Sequence, residues 1–153
     1  VDDPFVRQQR ENSPALLSWV VRTDNIHDLL ENNALFSYGN PTKVSRGDLT
    51  WFFGLPEDGR LLAGGMLPYV MQWQADIHPA SRMADLGCRL HHLEIYHPHA
   101  EWLQKALKSI EADTFARLFS LPEHQSPYMV AHIDTPKGTR ELQTCGCPDL
   151  SQT

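Results

Sequence analysis

The chain has 153 residues, 41% hydrophobic and 21% charged, with 13 Lys and Arg against 19 Asp and Glu. That length suits one domain or two small modules sharing a core, and the composition is globular rather than fibrous or disordered. A net charge of −6 leaves no basic surplus to displace counterions from phosphates, which argues against a nucleic-acid partner. No apolar run approaches the roughly 18–20 residues of a membrane-spanning helix.

Residues 1–14 are charged and aperiodic and read as an entry arm. Leu16 to Thr23 is rich in β-branched and aromatic residues, which suits a strand. Asp24 is placed to cap a helix whose apolar positions are Ile26, Leu29, Leu30 and Ala34. Gly39-Asn40-Pro41 breaks that helix. Thr42 to Ser45 and Leu49 to Phe53 read as strands around an Arg46-Gly47-Asp48 turn. Pro56-Glu57-Asp58-Gly59 is a second turn, because Pro presets φ and Gly tolerates positive φ. Met66 to Trp73 is a fourth strand, which Pro68, having no N–H, should start at an edge or bulge.

The same order then recurs after the polar stretch Gln74 to Gly87. Leu90 to Tyr96 is a strand, and Pro98 opens a helix whose buried face is Ala100, Leu103, Ala106, Leu107 and Ile110. Phe115 to Leu121, Tyr128 to Asp134 and Thr139 to Thr144 are strands, the last two joined by a Thr135-Pro136-Lys137-Gly138 turn. An offset of 74 aligns Trp19 with Leu93, Val21 with Ile95 and Leu29 with Leu103. The expectation is therefore an α+β fold of two paired βαβββ modules, residues 15–74 and 88–144, forming a curved mixed sheet around a cleft, with a tail at 145–153.

Alternation sorts the side chains by face. In Leu90 to Tyr96, Leu93 and Ile95 should pack inward, leaving His92, Glu94 and Tyr96 together on the other face. An imidazole, a carboxylate and a phenol there can bind a divalent metal or move protons, although a partly solvated polar strand explains the same pattern. In Leu67 to Trp73, Tyr69, Met71 and Trp73 share one face and Pro68, Val70 and Gln72 the other. The aromatic stripe reads as core or, with His78 in the following loop, as the roof of a ligand pocket. His97-Pro98-His99 is explained by surface histidines at a strand-to-helix junction. Three cysteines, Cys88, Cys145 and Cys147, are an odd number, and Cys145-Gly146-Cys147 lacks C-x-x-C spacing. They read as incidental thiols in a reducing cytoplasm. No phosphate-loop, dinucleotide, serine-hydrolase or H-E-x-x-H motif is present.

The run Gly65-Met66-Leu67-Pro68-Tyr69-Val70-Met71-Gln72-Trp73, followed by His78-Pro79 and Gly87-Cys88-Arg89-Leu90, resembles glyoxalase-like domain proteins of the vicinal oxygen chelate superfamily. Ser18 to Asp24 and Ser45 to Trp51 are similar to the same family's preceding segment. The resemblance implies paired βαβββ modules. It also implies that Val1-Asp2-Asp3-Pro4 follows a further N-terminal module, making this the C-terminal part of a longer protein. Superfamily metal sites draw one ligand from the first strand and one from the last strand of each module. By resemblance these fall near Ser18, Gln72, His92 and Glu141, of which Ser18 is a poor ligand.

The resemblance thus implies a divalent metal (Zn, Ni, Mn or Fe) held by His92, Glu141 and Gln72. Lyase or isomerase chemistry on a small oxygenated substrate would follow, with Glu141 or Glu94 carrying the proton. Tyr69, Gln72, Trp73, His78 and Tyr96 are the ligand-binding candidates. Two alternatives stand beside catalysis: a non-catalytic module holding a small molecule, and a structural module completing an N-terminal active site. A homodimer, or contact with that N-terminal module, is the expected protein partner, with neither nucleic acid nor membrane.

Overall fold

The computed structural model describes residues 14–76 and 78–144. The arm up to Ser13 and the tail containing Cys145 and Cys147 lie outside the described residues, whereas Cys88 is an exposed free thiol. Each expected strand forms, within a few residues of its sequence bounds. The first βαβββ run is β1 (Val20–Arg22), α1 (Ile26–Glu31), β2 (Asn40–Arg46), β3 (Leu49–Leu55) and β4 (Tyr69–Trp73). The second is β5 (Arg89–His97), α2 (Ala100–Lys108), β6 (Ala116–Ser120), β7 (Tyr128–Thr135) and β8 (Gly138–Gln143). Both are α+β, each with its own open four-stranded mixed sheet. Among the described residues no helix is long and apolar enough to cross a membrane.

The two runs share an element order but not a hydrogen-bonding order. The first sheet is β1-β4-β3-β2, with first and last strands parallel neighbours. The second is β6-β5-β7-β8, so β5 lies between β6, its parallel partner, and β7, its antiparallel one. The last strand, β8, is an edge strand that pairs with β7.

The fold divides into two compact units. Of the described residues, one holds the first sheet, within residues 18–86, together with residues 101–114; the other holds residues 14–17, Gly87–Ala100 and residues 115–144. Helix α2, although it follows β5 in the chain, therefore belongs from Glu101 onward with the first sheet. Its expected apolar face is buried: Leu103, Ala106 and Leu107 are fully covered, and Ile110, in the turn just past the helix end, is nearly so. The buried Tyr38 hydroxyl donates to the Ala106 carbonyl at 2.7 Å. Burial raises the Tyr38 phenol well above its ordinary value, despite a lowering contribution from Ser109. The Asn33 amide donates to Ser109 Oγ, and Phe36 meets Trp102 edge to face.

Three local expectations are corrected. Helix α1 ends at Glu31 with Asn32 as its C-cap, so Ala34 lies beyond it and Asn40 and Pro41 open β2 rather than break the helix. The α1 N-cap is Asn25 rather than Asp24, and it makes no side-chain capping bond. Strand β4 begins at Tyr69, because Pro68 and the short 3-10 turn Leu62–Gly65 take up the residues before it. That turn carries Ala63 at φ 47° and Gly64 at φ 64°, left-handed geometry incompatible with extended strand.

Candidate metal centre

In the second sheet the inward side chains Leu93 and Ile95 of β5 and Met129 and Ala131 of β7 are buried. Alternation then puts His92, Glu94 and Tyr96 on the opposite face, as the sequence pattern requires. The register decides what they meet. His92 pairs directly with His132 of β7, and His132 with Glu141 of β8. One row across three strands therefore carries imidazole, imidazole and carboxylate. The next row carries Arg117, Glu94, Val130 and Gln143, and the one beyond it Phe119, Tyr96 and Tyr128.

Glu94 is the hub of this face. Its Oε1 lies 3.0 Å from His92 Nε2, and its Oε2 accepts the Tyr96 hydroxyl at 3.0 Å. His132 Nε2 is 3.2 Å from the same Oε2, but off the line that a hydrogen bond needs. This buried nitrogen consequently has no hydrogen-bond partner. Partial burial pushes the Glu94 carboxyl up; the His92 and Tyr96 donors, with the close His132 imidazole and the charge it can carry, outweigh it and leave it below its ordinary value. The His92 and His132 rings stack with centroids 4.1 Å apart and planes 14° off parallel. His91, exposed, places its Nδ1 2.6 Å from His92 Nδ1, so one of the two donates to the other. Glu141 is looser, with Oε1 3.4 Å from His132 Nδ1 and its side chain 52% exposed.

His92, Glu94 and His132 offer two nitrogens and one oxygen, all within 4.8 Å of one another. Ligand atoms about 2.1 Å from a tetrahedral zinc lie roughly 3.4 Å apart; each imidazole nitrogen lies at a similar distance from one Glu94 oxygen, His92 3.0 Å from Oε1 and His132 3.2 Å from Oε2. Two imidazoles and a carboxylate suit Zn, Ni, Fe or Mn. The orphaned His132 Nε2 lies among these donors, and a buried polar atom without a partner costs about 1–3 kcal/mol. The donor set fits a divalent cation.

The other sequence candidates lie in the first unit. Gln72 shares the face of the buried Val70, and both ends of its amide are engaged. Its Oε1 accepts the Ile26 N–H at 2.9 Å, and its Nε2 donates to the Asp24 carbonyl at 2.9 Å. It thus supplies α1 with the cap that neither Asp24 nor Asn25 provides. Ser18 precedes β1 and lies on no strand. Tyr69 stacks on Phe53 and donates to the Arg60 carbonyl at 3.0 Å, and burial raises its phenol. Trp73 lies 5.3 Å from Trp51 and 5.9 Å, edge on, from the His78 ring. His78 also accepts the Ala80 N–H, capping the turn Pro79–Arg82. Of the candidates, His92, Glu94, Tyr96 and Glu141 come together, whereas Tyr69, Trp73 and His78 gather on the first sheet.

The sequence pattern of the glyoxalase-like domain matches residues 2–111. The chain belongs to the glyoxalase-like domain family. Through it the chain joins the glyoxalase, bleomycin resistance and dioxygenase superfamily, whose members often hold divalent metals. Neither a curated protein nor a solved structure matches the chain. The glyoxalase-like match includes His92, Glu94 and Tyr96 and ends at Glu111, before the strands that carry His132 and Glu141. His132 escaped the sequence reading. Its only signal was a lone imidazole within Tyr128 to Asp134, on the same alternation as Tyr128 and Val130.

Proposed function

We propose that this glyoxalase-like domain binds one divalent metal through His92, Glu94 and His132 and uses it in isomerase or lyase chemistry on a small oxygenated substrate. The observation that carries the reading is the convergence of the buried His132 Nε2, which makes no hydrogen bond, with His92 Nε2 and the Glu94 carboxylate. When bound, the ion would act as a Lewis acid stabilising negative charge on a substrate oxygen.

The protein's own groups divide the remaining work. Glu94 is surrounded by His92, His132 and Tyr96, so its carboxylate is a holder rather than a mobile base. Glu141 keeps only long contacts, at 3.4 Å to His132 Nδ1 and 3.5 Å to Gln143 Nε2. It is the carboxylate free to take a proton from a carbon next to a carbonyl. Where that carbon bears a hydroxyl, the C–H electron pair would become the C=C bond of an enediolate as the carbonyl π pair moves to oxygen; returning the proton to the former carbonyl carbon, while the hydroxyl proton passes to the other oxygen, would complete an isomerisation without a redox partner. The stacked rings of Phe119, Tyr96 and Tyr128 form an apolar wall one row beyond Glu94.

Metal analysis of protein expressed in metal-replete medium tests the reading. The expected result is about one equivalent of Zn, Ni, Mn or Fe per chain, lost in both His92→Ala and His132→Ala. Metal-free wild type, or full retention in folded variants, overturns it.

A further inference from the structure

On the face that bears the metal ligands, Arg117 of β6 is paired in register with Glu94 of β5. Phe119, two residues further along β6, stacks on Tyr96 with centroids 4.8 Å apart. Alternation therefore puts Arg117 on the same face as Tyr96 and Glu94. Neighbouring strands are about 4.8 Å apart, so the backbone of Arg117 lies one strand spacing from that of Glu94. Arg117 is exposed and forms no hydrogen bond or ion pair with any described residue. The carboxylate paired with it in register is no partner for it, because Glu94 is already engaged by His92 and Tyr96.

A free guanidinium beside a ligand cluster is a recognition element of definite chemistry. Its planar fork pairs with a carboxylate through two parallel hydrogen bonds, and unlike lysine or histidine it stays charged at every working pH. The charge count points the same way. A dication set against Glu94 and Glu141 leaves this face near neutral, so Arg117 gives it a surplus of one positive charge. That surplus matches a monoanion.

We propose that Arg117 clamps the carboxylate of a small oxo or hydroxy acid whose remaining oxygen reaches the His92–Glu94–His132 group. The proposal rests on the metal reading above and assigns that site's substrate class: a small monoanionic carboxylate rather than a neutral carbonyl compound. The row of Phe119, Tyr96 and Tyr128 supplies the apolar side along which its carbon skeleton would lie.

Calorimetric titration of the cobalt-loaded chain with pyruvate and with its neutral methyl ester tests the clamp, and the cobalt absorption band reports the metal site separately. Pyruvate is expected to bind wild type about tenfold more tightly than the ester does. Arg117→Gln should lose about tenfold for pyruvate and nothing for the ester, Arg117→Lys should fall between, and cobalt affinity should be the same in all three. Equal pyruvate affinity in wild type and Arg117→Gln overturns the proposal, as does equal affinity of wild type for acid and ester. Absence of a cobalt band in wild type overturns the metal reading instead. In that event the same titrations on metal-free protein decide the clamp alone, since pyruvate binding lost in Arg117→Gln sustains it and its absence overturns it.

Discussion

Replacing His132 by leucine separates a metal ligand from a structural histidine, because the two roles predict opposite outcomes. In the metal-free protein His132 contributes little that leucine cannot replace. Its Nε2 is buried, makes no hydrogen bond and has only the off-line Glu94 Oε2 at 3.2 Å, so removing it relieves at most about 1–3 kcal/mol. Against this stands the lost stack on His92, about 0.5–1.5 kcal/mol. The contact of Nδ1 with the half-exposed Glu141 contributes little. The difference leaves metal-free His132→Leu between about 0.5 kcal/mol less stable and about 2.5 kcal/mol more stable than wild type, a Tm from roughly 2 °C lower to roughly 10 °C higher for a chain of this size. With metal the outcomes diverge. Zinc at 100 times its Kd stabilises a protein that binds it only when folded by about 2.7 kcal/mol, or roughly 5–11 °C in Tm. Wild type should show that rise in differential scanning calorimetry, and His132→Leu should not. An undiminished zinc shift in the variant places the ion elsewhere. A metal-free loss of several kcal/mol would make His132 a structural residue, and either result refutes the reasoning.

Three further outcomes follow from named contacts. Because Glu94 sits below its ordinary value near 4.5 in the folded protein, its stabilisation is complete above that value and is lost as pH falls through the lower folded one. Glu94→Gln should therefore flatten the fall in Tm below about pH 4.5, as scanning calorimetry at stepped pH would show. Gln72→Leu strips the Ile26 N–H and the Asp24 carbonyl of their partners and should cost about 1–3 kcal/mol by urea unfolding. Zinc affinity in that variant should be unchanged, and its loss in folded protein would make Gln72 a ligand after all. Tyr38→Phe should cost about 1 kcal/mol in the same assay, because the Ala106 carbonyl it abandons still accepts Ser109 Oγ at 2.7 Å.

Local rules made most of the fold legible. The 3.6-residue spacing of Ala100, Leu103, Ala106, Leu107 and Ile110 correctly identified the buried face of α2, and the period-2 alternation of Leu93 and Ile95 placed His92, Glu94 and Tyr96 together. What failed depended on partners distant in sequence. Asp24 looked like a cap because capping is read from the residues next to a helix. The Ile26 N–H instead goes to Gln72, 46 positions away, which no local pattern reports.

The site itself turns on the one property that element order does not carry, namely which strands are neighbours. Two βαβββ runs look equivalent in sequence, and carrying ligands from the first and last strand of each assumes that those strands lie side by side. In the first sheet they do, since β1 pairs with β4. In the second they do not: β7 lies between β5 and β8, so the row that begins at His92 reaches His132 before it reaches Glu141. This inserted strand changes the chemistry of the face. With β5 and β8 adjacent, His92 and Glu141 would be direct neighbours and Glu141 the natural ligand. With β7 between them, Glu94 and His132 close on His92, while Glu141 stands one strand further out with a carboxylate left for proton transfer. The same wiring gives β5 a neighbour on its other side, β6, and with it the uncommitted guanidinium of Arg117. The proposed ligands, base and anion clamp thus take their separate places from a single rearrangement of strand order.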